Sequence, residues 1–280
     1  MTARTVLQRE PGSRATGVSL HSHTLHSREG MLFIPRIAAR LPWLRAAIDT
    51  AARRRGCAGI DAVCWDRLYW TPPVAPLQAY RLESSQIRSL GMRPLVSITD
   101  HDDIDAPLLL SALPGLVGTI PISVEWTLPF RGTFFHVGAH NLPAAGLRDR
   151  WQRMASAAAV GAEPLLMSLL ADLRAQPGTL VVLNHPFWDE KGIGAEGHRK
   201  SLWALLEAGR GSFDALEWNG FRPPAENGLT MDLAGRLGLP VVAGGDRHGL
   251  EPNSCLNVTD APDFTAFAAE VRHERRSEVL

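Results

Sequence analysis

Histidine and carboxylate residues stand directly after short apolar runs in this sequence. His21 and His23 follow the run Gly17–Leu20, and Asp246 and His248 repeat the same spacing after a later run. Because side chains alternate along an extended strand, residues two apart point to the same face. Imidazole nitrogens combined with carboxylate oxygens suit Zn²⁺, Mn²⁺ or Fe²⁺. Each pair therefore indicates a metal site, with an incidental His-x-His spacing as the alternative for a pair taken alone.

Other metal-ligating residue types occupy the same position, at or just past the end of an apolar run. They are His101, Glu125, His136 and His185. In a barrel of parallel strands, the carboxyl ends converge on one face, and active sites are built there. A single member of this set could be a core histidine, a buried ion pair or a turn residue. Their recurrence at equivalent ends favours one shared, multinuclear metal centre.

The apolar runs predict strands, and the longer stretches between them predict helices. The predicted strands are Gly17–Leu20, Pro94–Ile98, Thr119–Val124, Thr133–Val137, Thr179–Leu183, Phe213–Glu217 and Pro240–Ala243. The predicted helices are Trp43–Arg55, Pro76–Leu90, Leu147–Ala159, Pro164–Ala175, Arg199–Leu206 and Ala225–Leu237. Such alternation is typical of βα units around a parallel sheet. The segment Cys57–Pro76 is predicted as a loop packed over the core or as a lid, and Ala266–Leu280 as a solvated helix.

The composition is that of a globular protein, with 45% hydrophobic and 21% charged residues. Its 29 basic residues balance 29 acidic ones, which argues against a surface that binds long nucleic acid through its phosphates. The 3 cysteines form no Cys-x-x-Cys pair, so neither a disulfide framework nor a zinc ribbon is indicated. Met1–Gly17 lacks the apolar core of a signal peptide, and we therefore expect a cytoplasmic protein without a membrane partner.

The ordered motifs of this chain resemble those of the PHP (polymerase and histidinol phosphatase) superfamily. They are Leu20-His21-Ser22-His23-Thr24, Ser97-Ile98-Thr99-Asp100-His101-Asp102, Val124-Glu125 with His136-Val137-Gly138, Asn184-His185-Pro186 and Gly245-Asp246-Arg247-His248. The similarity spans about residues 17 to 250. It implies an α/β fold, a distorted seven-stranded (β/α) TIM-like barrel with a trinuclear metal cluster at the strand carboxyl ends. We expect one domain over residues 1–280, with a C-terminal helical extension over about 262–280.

The resemblance also implies how the ligands divide among three metals. The first metal takes His21, His23, Glu125 and Asp246, the second His101 and His248, and the third His136, His185 and the shared Glu125. Family members usually carry an acidic residue, less often a histidine, five or six positions after the second histidine of the first motif, where this chain has Arg28 and then Glu29. Arginine cannot bind a cation. We therefore expect Glu29 to complete the second metal site, with His26 or no ligand as the alternatives.

The function implied is that of a metal-dependent phosphoesterase, which uses two or three divalent ions (Zn, Mn or Fe) and attacks with a metal-bridging hydroxide. The expected substrate is a small phosphorylated metabolite, a nucleotide or a short oligonucleotide end. Asp102, Asp246 and His248 are the catalytic candidates, with Asp102 either protonating the leaving group or orienting His101. Arg131 and Arg247 are candidates for binding the substrate phosphate; ordinary surface or structural roles are the alternative.

Two other functions remain open at this point. A metal-dependent amidohydrolase would use a similar centre on an amide or ester bond, because function resides in the site rather than in the fold. A non-catalytic metal-binding protein with a degenerate site is the second alternative, and Arg28 is the feature in its favour.

Overall fold

The computed structural model describes residues 4–7 and 14–280 as a mixed α/β fold. Within these residues the strands are β1 (Arg4–Leu7), β2 (Thr16–Ser19), β3 (Glu29–Gly30), β4 (Tyr69–Trp70), β5 (Arg93–Val96), β6 (Val124–Phe130), β7 (Thr133–His140), β8 (Leu180–Asn184), β9 (Ala215–Asn219), β10 (Val241–Gly244), β11 (Asn257–Thr259) and β12 (Arg276–Val279). Every residue of β8 is buried. A strand covered on both faces reads as a continuous apolar run, which is why its position was predictable.

The α-helices of the same residues lie mainly between the strands. They are α1 (Phe33–Arg40), α2 (Pro42–Arg54), α3 (Pro76–Ser89), α4 (Asp105–Ser111), α5 (Leu147–Val160), α6 (Glu163–Ala175), α7 (Ala195–Ala208), α8 (Pro224–Leu237) and α9 (Phe264–Ala269). Proline opens α2, α3 and α8, where its missing N–H costs no hydrogen bond. Six of the helices overlap the predicted ones between the strands, and α9 overlaps the start of the predicted C-terminal helix, whereas α1 and α4 were not predicted.

One face of helix α6 is buried against strands β6 to β9. Along α6, Leu166, Leu169, Leu170 and Leu173 are buried, and their spacing places them on one side of the helix. They join the apolar side chains of β6 to β9, including the buried Trp126, in the largest core cluster.

Two five-stranded sheets make up most of the fold. The first has the order β1-β12-β11-β2-β5 and the second the order β10-β9-β8-β7-β6, while β3 and β4 form a separate pair. No continuous ladder joins the two large sheets within the described residues. Two isolated parallel bridges connect them instead, Ser22 with Arg247 and His101 with Glu125. We call these junctions the first and the second seam.

The structure corrects the expectation of parallel strands around Glu125. The strand begins at Val124 and runs to Phe130, so the predicted strand Thr119–Val124 is wrong and Glu125 lies near a strand start. β7 pairs antiparallel with β6 and with β8. Only Arg131 and Gly132 separate β6 from β7, both with positive φ, and so short a turn can join only antiparallel strands.

The C-terminal residues form a strand where a helix was predicted. After α9 the chain makes a short π-helical turn, Glu270–Glu274, and then enters β12. β12 pairs parallel with β1 and antiparallel with β11, and its Ser277 and Val279 are buried. Alternate burial of this kind fits a strand rather than a solvated helix. The prediction of a helical extension is therefore wrong beyond Glu274.

The segment between β3 and α3 folds over the end of the molecule that carries the histidines. It contains α1, α2, two short 3-10 turns and β4, which pairs with β3. Arg36 of α1 donates hydrogen bonds to the backbone carbonyls of Asp189 and Glu190 in the loop after β8. No helix within residues 4–7 and 14–280 combines the length and apolar character needed to cross a lipid bilayer.

Candidate metal centre

The predicted metal ligands gather where the two sheets meet. His21 and His23 extend from β2, and His101 follows β5, all on the side of the first sheet. The first seam places Ser22 beside Arg247, between Asp246 and His248, and the second seam places His101 beside Glu125. His136 reaches the same place because β7 is antiparallel, so that the first half of β7 lies beside the carboxyl end of β8.

Five imidazole rings surround the buried carboxylate of Glu125. The nitrogen-to-oxygen distances are 2.9 Å for His21 Nε2, 3.1 Å for His185 Nε2, 3.3 Å for His101 Nε2, 3.4 Å for His23 Nε2 and 3.7 Å for His136 Nδ1. Burial alone would raise the pKa of Glu125, but the nearby histidines His21 and His101 outweigh it and hold that pKa well below the ordinary value. Glu125 is therefore an anion at the middle of the centre.

Among the described residues, five groups of side chains have ligand atoms that all lie within 4.8 Å of one another, and four of these groups share members. These four are His23 with Glu29, His101 and His248; His21 with His23 and Asp246; His101 with Glu125 and His136; and His21 with His185 and Glu217. These groups share members, so that the whole set forms one connected centre. All nine residues proposed as ligands from the sequence take part in it.

The structure brings Glu29 into this centre. Its carboxylate lies 3.0 Å from His248 Nε2 and 3.3 Å from His101 Nε2, and it accepts a 2.5 Å hydrogen bond from Ser27. Glu29 pairs with Trp70 across β3 and β4, and this pairing fixes the direction of the Glu29 side chain. The neighbouring Arg28 lies over the ring of Tyr69. His26, the alternative ligand, lies instead with Asp103 and Asp105.

His23 shows that the centre fits a cation. Burial and repulsion from His248 lower the pKa of His23 to about 4, so this imidazole is neutral at pH 7. Its Nδ1 lies 3.1 Å from the Ser27 hydroxyl, whereas its Nε2 is buried without a hydrogen-bond partner. That Nε2 lies 3.3 Å from a carboxylate oxygen of Asp246. An unpartnered nitrogen facing a carboxylate is the arrangement that a divalent ion completes.

Glu217, which the sequence analysis did not select, holds two of the ligands in place. One of its carboxylate oxygens lies 2.5 Å from His21 Nδ1, and the other accepts a 3.0 Å hydrogen bond from the backbone N–H of His185. A carboxylate on the second ring nitrogen of a metal-binding histidine fixes its tautomer and orientation. Gly244 leaves the necessary space, because a Cβ there would overlap the Glu217 carboxylate. The sequence did contain a signal for Glu217, because this residue ends the predicted strand Phe213–Glu217.

Asn184 and Asp100 support the centre in similar ways. Asn184 donates a 2.9 Å hydrogen bond to Glu125. Asp100 accepts a 2.7 Å hydrogen bond from the Thr24 hydroxyl, and burial raises its pKa to about 6. Asp102, proposed as a catalytic acid, accepts a 2.8 Å hydrogen bond from the backbone N–H of Thr127. Within the described residues it forms no ion pair with the histidines.

Neither of the two arginines selected from the sequence reaches the centre. Arg131 lies at the tip of the β6–β7 hairpin, where it is exposed and 3.8 Å from Glu163. Arg247 is buried and donates a 2.7 Å hydrogen bond to Glu83 of α3. The alternation that turns Asp246 and His248 toward the centre turns Arg247 the opposite way.

A different arginine, Arg222, stands at the rim of the centre beside several aromatic rings. Its guanidinium lies 4.0 Å from the ring centroid of Trp188 and 3.9 Å from Asp246. The rings of Trp70 and Phe221 lie 5.9 Å and 6.3 Å from that of His248. These two side chains are partly or largely exposed, so the rim is open to solvent between them.

Glu190 is a further acidic group that sequence analysis did not select. It lies on the loop after β8, 3.6 Å from His136 Nε2, in a small cavity that Phe134, His185 and Trp188 also line. Burial raises the pKa of Glu190. Nothing in the sequence distinguished this residue, because a loop rather than a strand end presents it.

Several solved structures match this chain at a distance. Neither a protein-family model nor a curated protein matches the sequence. An amidohydrolase from Chromobacterium violaceum, solved with bound sulfate and no metal, aligns with a TM-score of 0.40 at 17% identity, over 63% of this chain and 83% of its own. A protein from Bifidobacterium adolescentis, provisionally described as a metal-dependent phosphoesterase, aligns with a TM-score of 0.39 at 17% identity, over 91% of each chain. Function is therefore argued from the geometry of the centre.

Proposed function

We propose that this protein is a metal-dependent phosphoesterase of the PHP type. Its substrate would be a small phosphorylated metabolite, a nucleotide or a short oligonucleotide end. The observation that carries the proposal is the packing of five imidazoles around the single buried carboxylate of Glu125. So many neutral and anionic donors in one place suit several closely spaced cations better than one.

The ligand sets are proposed as follows. One metal would be held by His21, His23, Glu125 and Asp246, a second by Glu29, His101 and His248, and a third by Glu125, His136 and His185. The grouping of Glu29 with His101 and His248 in the structure supports the second set. When bound, such cations lower the pKa of water and stabilise charge on the attacking and leaving oxygens of an in-line displacement.

The protein's own side chains would keep this arrangement ready for substrate. Glu217 orients His21, and Asn184 orients Glu125, so neither ligand has to reorganise when a cation or substrate arrives. The ligands themselves are largely buried, which excludes bulk water from the reacting groups. Asp102 follows His101 directly and is exposed at the rim, and we retain it as the proposed proton donor to the leaving oxygen.

The same proposal includes a barrel fold for this chain. The order β2-β5-β6-β7-β8-β9-β10 contains seven strands, and the two seams link β5 to β6 and β10 back to β2. We infer a distorted (β/α) barrel that is closed by bridges rather than by full ladders. We also propose a single domain, a cytoplasmic location and a small phosphorylated partner rather than long nucleic acid.

The test is metal analysis combined with an assay panel of phosphate monoesters, phosphodiesters, amides and carboxylic esters. We expect two or three divalent ions per chain and turnover of phosphoesters that chelation abolishes. The double variant His21→Ala/His23→Ala should lose both metal and activity, whereas His273→Ala, an exposed histidine far along the chain, should keep both. Activity on amides alone would show an amidohydrolase. Full metal loading without any turnover would show a non-catalytic metal-binding protein.

A further inference from the structure

We infer that Arg222 binds the anionic phosphoryl group of the substrate at the rim of the metal centre. This inference rests on the proposed function and names the side chain that recognises its substrate class. The structure places one guanidinium next to a proposed metal ligand, since Arg222 Nη2 lies 3.9 Å from Asp246 Oδ2. That distance is too long for a hydrogen bond, so Asp246 does not occupy the donors of Arg222.

The loop after β9 fixes the position of this arginine. The backbone N–H of Arg222 donates a 3.2 Å hydrogen bond to the carbonyl of Asn219, and the N–H of Phe221 donates one of 2.8 Å to the Asn219 side chain. Asn227 of α8 in turn holds Asn219 by two hydrogen bonds. The guanidinium rests on the ring of Trp188, which sets its plane. Arg222 is therefore held at the rim before any ligand binds.

The donors of Arg222 lack acceptors within the described residues. Its Nε is buried and forms no hydrogen bond, and its side chain is only 13% exposed. A buried donor without an acceptor is destabilising, so such a site favours a ligand that supplies oxygens. Arg247 differs, because two of its nitrogens already donate to Glu83 and to the carbonyl of Gly249.

The shape of the unused group indicates which ligand it takes. A guanidinium presents a planar fork of N–H donors that matches two oxygens of a phosphate, and its charge balances that of the dianion. A phosphoryl group bound beside Asp246 would lie near this guanidinium, because Arg222 Nη2 is 3.9 Å from Asp246 Oδ2. An amide substrate would offer no anionic oxygens to these donors, and Asp246 at 3.9 Å does not accept from them. The position of Arg222 thus selects for phosphate among the substrates that such a centre can accept.

Phosphate binding to the metal-loaded, full-length protein tests the inference directly. Isothermal titration with inorganic phosphate should show that Arg222→Gln weakens binding by roughly 10- to 100-fold, the loss expected for charge-assisted hydrogen bonds. Arg222→Lys should restore part of the affinity, because it keeps the charge but not the fork. The metal content of both variants should equal that of the wild type. Arg153→Gln, which removes an exposed arginine paired with Asp172, should bind phosphate normally.

Several outcomes would overturn the inference. Unchanged phosphate affinity in Arg222→Gln, or no phosphate binding by the metal-loaded wild type, would do so. Metal loss in Arg222→Gln would show that Arg222 only supports Asp246, and weaker binding in Arg131→Gln alone would identify the hairpin arginine instead. The proposed function fails separately: if phosphate binding depends on Arg222 but no phosphoester is hydrolysed, the anion site stands and the phosphoesterase assignment does not.

Discussion

Glu217 connects two of the proposed metal ligands to strand β9 of the second sheet. Its carboxylate contacts His21 and the backbone of His185, and it also accepts a 2.9 Å hydrogen bond from Asn219. A buried carboxylate with so many donors is a fixed support rather than a mobile ligand. The effect of changing it should therefore appear first in the affinity for metal.

We expect Glu217→Gln to lower the affinity for Zn²⁺ or Mn²⁺ by roughly 10- to 100-fold, because His21 loses the partner that fixes its tautomer. Titration against a chromophoric chelator measures this change. Glu207→Gln, which alters an exposed glutamate on α7, is the matched control and should bind metal normally. Equal affinities for Glu217→Gln and the wild type would contradict the orienting role.

His140 makes folding stability depend on pH in a defined direction. It is buried below the centre, 2.9 Å from the Ser97 hydroxyl, and burial together with repulsion from His21 lowers its pKa from 6.5 to about 3. The unfolded chain therefore binds a proton at this residue before the folded chain does. The stability that neutral His140 supplies is complete above pH 6.5 and is lost as the pH falls toward 3.

Chelated wild-type protein should lose about 2 kcal/mol of unfolding free energy at this residue between pH 6.5 and pH 5. In His140→Gln this contribution to the loss should disappear, so the unfolding free energy should fall less steeply between pH 6.5 and pH 5. Urea unfolding at several pH values measures the two slopes. His273→Gln, which changes an exposed histidine, should keep the slope of the wild type. Identical slopes for His140→Gln and the wild type would be inconsistent with a neutral buried imidazole.

At the scale of elements, β12 joins the C-terminal residues to the first sheet. It lies between β1 and β11, its Ser277 donates to the backbone carbonyl of Val241, and its Val279 is buried. Val279→Asp should cost about 3 kcal/mol or more of unfolding free energy, because it buries a charge without a partner. Chemical denaturation measures the change. Val117→Asp, at an exposed valine, should stay within about 0.5 kcal/mol of the wild type, and a similar result for Val279→Asp would argue against the buried strand.

Local patterns predicted the elements better than their directions. Runs buried on both faces located β8 and β10, and proline starts located α2, α3 and α8, because these signals depend on neighbouring residues alone. The direction of β7 depends on the two-residue turn at Arg131 and Gly132, a signal that the apolar pattern does not contain. β12 depends on partners from the other end of the chain, and no local pattern could reveal them.

The candidate site shows the same difference between residues that local patterns reveal and residues that only the folded structure brings together. Positions at the ends of apolar runs, and pairs two residues apart, identified the histidines and acids. Alternation with its two neighbours would have excluded Arg247, and the position of Glu217 at the end of a predicted strand would have selected it. Arg222 and Glu190 could not be predicted, because loops present them and their neighbours are distant in sequence. The contact of Arg222 with Trp188 exists only once two separate loops have folded.

At the scale of the molecule, bound cations would fasten the two large sheets together. His23 and His101 come from the side of the first sheet, whereas Glu125 and Asp246 come from the second. Each seam has only a few backbone hydrogen bonds, such as those from the N–H of His23 to Arg247 and from that of Asp102 to Glu125, both 2.9 Å. Bound metal would therefore add stability at the seams, where the two sheets share few backbone hydrogen bonds.

Chelation should lower the unfolding temperature by roughly 10 °C when free metal had been about a thousandfold above its dissociation constant. Amide hydrogen exchange should then accelerate at His23 and Asp102 more than at Leu183 inside the β8–β9 ladder. His21→Ala/His23→Ala should show fast exchange at the seams with or without metal. Uniform acceleration along the chain, or none, would argue against cations that join the sheets.

The distribution of the ligands along the chain also constrains how the protein matures. Asp246 and His248 follow β10, so a nascent polypeptide that has left the ribosome only as far as β9 lacks both. Such an intermediate contains the imidazoles of His21 and His101 but lacks Asp246, the last acidic residue of the candidate metal centre. We therefore expect cation uptake to come only after β10 has emerged. The earlier intermediate is rich in histidine and also carries the thiols of Cys57 and Cys64, so it would have to be kept from capturing the wrong ion.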